Sequence, residues 1–189
     1  MQGLVCRLTG TFGEKKGEVD KMTTREFYVE RRKAELPVFL KVLKALPRDQ
    51  MDYKPDERSP SAEQVAWTLV HQTMICGDVA KDARGEWIDS PAPNLDEMIQ
   101  KFETASKELI ETVSRMDEDE WNKKAKFVYQ GKVVSEQPAG QFLWSMMFDA
   151  IHHRGQLSAY LRPMGGKVPA IYGPSADEKP SQSADAQSA

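Results

Sequence analysis

Residues 149–175 read DAIHHRGQLSAYLRPMGGKVPAIYGPS, and this stretch decides the fold. No proline interrupts it until Pro163, and Gly165-Gly166 ends whatever helix reaches about Leu161. Followed back to Pro138 and Gly140, the helical period puts Phe142, Met146, Asp149, Ala150, His153, Leu157, Tyr160 and Met164 on one face of a long last helix. Asp149 and His153 are thus polar groups on a stripe that reads as inward. Four residues apart, their Cβ atoms sit roughly 5–6 Å from each other, a spacing that lets both reach one metal ion. A carboxylate withdrawn from water needs a partner. Two arrangements would supply one: a divalent cation, or a hydrogen-bonded Asp–His pair fastening two helices.

Upstream, three more helices are expected. The first runs from about Thr23 to Leu46, with Phe27, Leu36, Leu40, Leu43 and Leu46 as inward candidates, and Pro37 inside it should kink it. Pro47 to Pro60, rich in Pro, Asp and Arg, reads as a connecting loop. Ser61 and Gln64 form a capping box for the second helix, which is expected to reach about Arg84 and stop at Gly85. That helix is apolar on more than one side (Val65, Ala66, Trp67, Leu69, Val70, Met74, Ile75, Val79) and should be largely buried. Asn94 caps a third helix to about Met116. Lys126–Val134 carries β-branched and aromatic residues on both sides of Gln130-Gly131, which fits a short hairpin or an irregular crossover. The expected fold class is all-α.

The chain has 189 residues, enough for one domain with a real core. Residues 1–21 show four glycines and no periodicity, so they read as a loose extension, and Met22 reads as an alternative start. Residues 176–189 are small and polar, a disordered tail by composition. The body of the domain is therefore residues 22–175. With 26 Lys+Arg against 29 Asp+Glu, the net charge is −3 and the signs are mixed. No basic stripe supports nucleic-acid binding, and no apolar run approaches the roughly 18 residues that span a bilayer. Cys6 and Cys76 form neither a disulfide framework nor a zinc finger. Together with the lack of an apolar leader in residues 1–21, this points to a reducing, cytoplasmic setting.

The three histidines lie on two helices: His71 on the second, His152 and His153 on the fourth. His71 is the available third ligand for a metal held by Asp149 and His153, because helical bundles build such sites from facing helices. A two-His, one-carboxylate set leaves open positions for water or substrate. His152 points about 100° away from His153 and reads as polar surface. Cys76 reads as a small core residue.

The string HHRGQLSAYLRPMG, followed by KVPAIYGPS, resembles the C-terminal signature of the DinB/YfiT-like superfamily of metalloproteins. Tyr53 and Pro55 in the loop and Ala66-Trp67 in the Ser-led second helix agree with it in order. The resemblance covers roughly residues 24–175. It implies a four-helix bundle with up-down-down-up helix order, often a homodimer. It also implies a divalent transition metal such as zinc, nickel or manganese, held by one histidine of the second helix and an H-x-x-x-H pair on the fourth. His153 matches the second histidine of that pair; Asp149 stands where the first is usual, and Thr68 stands at the usual position on the second helix.

Two functions follow as expectations. One is a metal-dependent thiol S-transferase or hydrolase acting on a small electrophile, since the superfamily includes bacillithiol transfer, mycothiol-dependent isomerisation and metal-assisted hydrolysis as well as many damage-inducible proteins. The other is a non-catalytic bundle with a degenerate metal site, acting through dimerisation or small-molecule binding.

Overall fold

Thr23 starts the first helix because its side chain accepts from the Glu26 amide while the Glu26 carboxylate accepts from the Thr23 amide. The computed structural model describes residues 21–178. Within them lie five helices, α1 (Thr24–Ala45), α2 (Ala62–Asp82), α3 (Leu95–Arg115), α4 (Glu118–Asn122) and α5 (Ala139–Leu161). Three strands accompany them: β1 (Arg84–Trp87), β2 (Lys124–Tyr129) and β3 (Lys132–Pro138). The expected extension 1–20 and the end of the expected tail, 179–189, lie outside the described residues.

The caps expected at Ser61/Gln64 and Asn94 are present. An unforeseen one, Asp117 with Glu120, starts α4. The second helix ends differently from its expectation. Ala83, not Gly85, takes the left-handed conformation at φ 53°, and Gly85 lies inside β1. A Cβ on Gly85 would fall 2.6 Å from Ile75 Cγ2, so only glycine lets this strand lie against α2. α1 continues as a helix through Pro37. Leu43 and Leu46 are buried as expected, but Phe27 is exposed, and Tyr28, Phe39 and Val42 are buried in addition.

The hairpin at Gln130-Gly131 forms, with both residues at positive φ (49° and 71°) as a tight two-residue turn requires. β2 pairs antiparallel with β3 and parallel with β1, giving the order β1-β2-β3. The all-α expectation is corrected accordingly: the protein is mostly helical with a small three-stranded sheet. β1 escapes sequence reading because it is four residues long (RGEW) and has no alternation of its own. Its partner β2 supplies the pairing from forty residues away.

α3 and α5 each pack against both α1 and α2 and so separate them. The interior holds two apolar clusters. One gathers the C-terminal half of α1, the first halves of α2 and α3, and the end of α5 (Phe39, Leu69, Phe102, Leu157). The other gathers the opposite ends, with Trp121 and the sheet (Tyr28, Val79, Val113, Leu143). α1 and α5 therefore run from the second cluster to the first, and α2 and α3 run back. Gly140 allows α5 to begin against Trp121, whose indole occupies the space a Cβ would fill. No helix among the described residues is long and apolar enough to cross a membrane.

Candidate functional site

The inward face of α5 is set by Phe142, Leu143, Met147, Ala150, Arg154, Leu157, Tyr160 and Leu161. That face lies beside the one read from the helical wheel, and Asp149 and His153 fall on its border. The Asp149 side chain is 44% exposed and that of His153 is 19% exposed, so the expected buried carboxylate is instead open to solvent. The two meet as their spacing requires, His153 Nε2 lying 3.2 Å from Asp149 Oδ2. On the other side of the ring, His153 Nδ1 lies 2.8 Å from Gln156 Oε1.

The residue that α2 brings to this pair is Gln72. With its amide nitrogen toward α5, Gln72 donates to Asp149 Oδ2 at 2.8 Å, and its oxygen accepts from the Ala150 amide at 3.2 Å. Gln72 is one turn beyond Thr68, on the same helical face. Sequence reasoning passed over it. The available signal was a buried-type position on an otherwise apolar helix occupied by an amide.

His71, one residue earlier, is carried round the helix to a different neighbourhood. Its ring stacks on Trp67 (centroids 5.5 Å apart) and meets Trp87 of β1 at 4.4 Å. Burial there holds its pKa below the ordinary histidine value, against the opposing pull of Asp89 and Asp78. Its Nδ1 is buried without a hydrogen-bond partner among the described residues. The structure thus unites Asp149 with His153 and leaves His71 in an aromatic clamp that fastens the β1 segment to α2. His152 is exposed, and Cys76 is buried with its thiol pKa pushed up to about 12 by burial. Both match their sequence readings.

Gln72, Asp149 and His153 offer one carboxylate, one imidazole and one neutral amide. Among the described residues, no group of three or more His, Cys, Asp or Glu side chains could hold a metal ion. Moreover, Asp149 Oδ2 and both ring nitrogens of His153 have partners from the chain: Gln72 on Asp149 Oδ2, Asp149 and Gln156 on the two ring nitrogens. This donor set does not fit a metal centre built from three chain ligands. It does form a polar patch at the border of α2 and α5 with hydrogen-bonding groups of both kinds.

One residue further along α5 stands a different constellation. Arg154, 2% exposed, forms an ion pair with Glu35 of α1, itself 2% exposed. Tyr172 Oη accepts from Arg154 Nη2 at 2.5 Å and donates to Glu35 Oε1 at 3.0 Å, and Arg31 adds a bond to the same carboxylate at 2.6 Å. Burial pushes the Glu35 pKa up, but the hydrogen bonds from Arg154, Arg31 and Tyr172 outweigh it and hold the carboxyl below its ordinary value. Here the KVPAIYGPS segment finds its physical role. It returns over α1 and is held by Asp177 and Glu178, which accept from the Val168 and Ala170 amides and pair with Arg162 and Lys41.

A helical body with its polar pair on the last long helix defines a class, and the family comparison names it. The DinB family model matches residues 22–184, and the chain belongs to that family. Among solved structures it is similar to a DinB-like protein from Bacillus cereus, with a TM-score of 0.64, 19% identity, and coverage of 78% of this chain and 97% of that one. A DinB-like protein from Bacillus subtilis gives a TM-score of 0.60 at 19% identity, covering 75% of this chain and 94% of the other. A mycothiol-dependent maleylpyruvate isomerase matches at a TM-score of 0.51 and 13% identity, over 75% of this chain and 61% of the isomerase. At these identities the likeness is one of fold. No curated protein sequence matches the chain.

Proposed function

We propose that the protein binds a small polar molecule at the border of α2 and α5 through Asp149 and His153, in exchange for their contacts with Gln72 and Gln156, at the place where relatives of this fold are expected to hold a metal. The observation that carries this reading is the Gln72–Asp149 contact at 2.8 Å. The amide satisfies the carboxylate that a cation would otherwise neutralise. A ligand with a donor and an acceptor replaces Gln72 and Gln156 as hydrogen-bond partner, and the exposed edge of Asp149 admits it. The chain's residues then do two things: Asp149 accepts from His153 Nε2–H, and Nδ1, which meets Gln156 Oε1 at 2.8 Å, is released to the ligand.

A second reading, a metal-dependent thiol S-transferase or hydrolase for a small electrophile, is favoured by one observation. The carboxylate and imidazole are 3.2 Å apart at i, i+4 spacing, on a helix shared with the mycothiol-dependent isomerase fold. A bound divalent ion would lower the pKa of water or thiol there. One experiment separates the readings. Protein purified without chelator is analysed for metal, and its melting temperature is measured with zinc, nickel or manganese for the native chain and for Asp149→Asn. The first reading expects less than roughly a tenth of an equivalent and no metal-dependent shift. A stoichiometric ion lost in Asp149→Asn overturns it and leaves the second. In either case a homodimer, assessed by sedimentation, is the assembly proposed for the chain.

A further inference from the structure

Gly77 lies in the interior of α2, where glycine is a poor choice because it loses more chain entropy than any other residue. Its φ is not positive, and a Cβ placed on it would meet nothing within 4 Å. Gly85 and Gly140 are different, since Ile75 and Trp121 occupy the space that a side chain there would need. What Gly77 leaves open is a groove of about 500 Å³ between α2 and α3, a size common for small-molecule sites. Thr73, Gly77 and Ala105 line it with little bulk, and Met74, 39% exposed, gives it an apolar wall. None of Gln72, Asp149, His153 and Gln156 lines this groove, so it is separate from the pair on α5.

Five charged side chains line the groove, and three of them are engaged. Lys81 pairs with Glu108 across the two helices at 3.6 Å, and Glu97 accepts from the Asn94 side-chain amide at 2.8 Å. Asp78 of α2 and Lys101 of α3 remain, and among the described residues neither has an ion-pair partner within 4.0 Å. The Asp78 carboxyl is held above its ordinary pKa, first because its surroundings desolvate it, against the pull of Lys81 and His71 and with a further push from Asp82. A carboxylate in that position gains from a cation, and an ammonium group brings one with three donors. Lys101 gains from a carboxylate in the same way. The two charges stand on different helices of one groove, so a single molecule that carries both signs satisfies both. An apolar side chain on that molecule would cover Met74 and use the space above Gly77.

We propose that the α2–α3 groove binds a small zwitterion, a free amino acid with an apolar side chain, with its ammonium on Asp78 and its carboxylate on Lys101. Gly77 keeps the groove deep enough to seat it.

The test titrates the full chain with L-leucine, L-methionine and L-phenylalanine, and with leucinamide and isocaproate, which keep only the ammonium or only the carboxylate of leucine. Thermal unfolding and backbone amide chemical shifts are followed together. At least one of the amino acids should raise the melting temperature saturably. It should shift the amides around Gly77 and Ala105 and leave those of Asp149 and His153 in place. Leucinamide and isocaproate should each bind about tenfold more weakly than leucine or worse. Gly77→Met, which fills the groove with a better helix former, should keep or raise the melting temperature and abolish the response. Asp78→Asn and Lys101→Gln should each weaken binding by about tenfold while the unliganded melting temperature stays put. The proposal is overturned by a chain that responds to none of the amino acids, by leucinamide or isocaproate binding as tightly as leucine, or by a well-folded Gly77→Met that still binds. Shifts confined to Asp149 and His153 overturn it as well, and would assign the ligand to the α5 pair instead.

Discussion

His153 and Arg154 are adjacent in the chain and belong to two different kinds of polar site. His153 joins Asp149 on the same helix, at a border where solvent reaches both, and its partners Gln72 and Gln156 are neutral amides. Arg154 turns about 100° inward and joins Glu35 from another helix, with both side chains almost completely buried. The difference is one of dielectric and of options. An exposed Asp–His pair can exchange its partners for water or a ligand at little cost, which is what a binding site requires. A buried ion pair whose partners come from α1, α5 and the C-terminal segment cannot let go of any one without stranding a charge, which is what a structural clasp requires.

The comparison is broken most severely at the clasp. Arg154→Met should destabilise the protein by about 3–5 kcal/mol, because the Glu35 carboxylate is left buried with Arg31 as its remaining cation. Glu35→Leu combined with Arg154→Met should recover much of that loss in urea unfolding, since no charge is then stranded. A double variant no better than the single one would mean that packing around Arg154, including its stacking over the Phe39 and Tyr172 rings, carries the effect.

A smaller effect should appear on acidification. The Glu35 pKa is held below its ordinary value of 4.5 in the folded protein. The unfolded state therefore binds the proton first, so the clasp's contribution is complete above that value and is lost as pH falls through the folded one. Between roughly pH 5 and pH 3, the native chain should lose stability more steeply than the Glu35→Leu, Arg154→Met variant. Parallel slopes would place the acid sensitivity elsewhere.

The smallest effect is expected at the open pair. Asp149→Asn should change unfolding stability by less than about 1 kcal/mol, in keeping with a hydrogen-bonded pair that solvent reaches. It should nevertheless abolish the proposed ligand binding at the Asp149–His153 pair. A loss as large as that of Arg154→Met would erase the distinction between the two sites.

How far the site was legible follows from which residues had a local cause. The spacing of Asp149 and His153 is a property of one helix, so their contact was readable. Their exposure was not, because Phe142, Ala150 and Leu157 fit a wheel centred on either face. Only packing against α1 and α2 chose the face centred on Met147, Arg154 and Leu161. His71 and Gln72 were equally placed on paper. A turn of 100° sends one to Trp67 and Trp87 and the other to Asp149.

The sequence by itself determined the helix starts, through capping residues at Thr23, Ser61 and Asn94 that act on amides three residues away. It also offered the Gln130-Gly131 hairpin as one of two arrangements and, through a family-specific string, determined the family itself. Tertiary structure alone decided that RGEW becomes a strand and that Glu35 meets Arg154. The physical reason is range. Caps and turns are closed by bonds within four residues, whereas β1–β2 pairing and the Glu35–Arg154 contact join residues about 40 and 119 positions apart, and no local pattern encodes their partners.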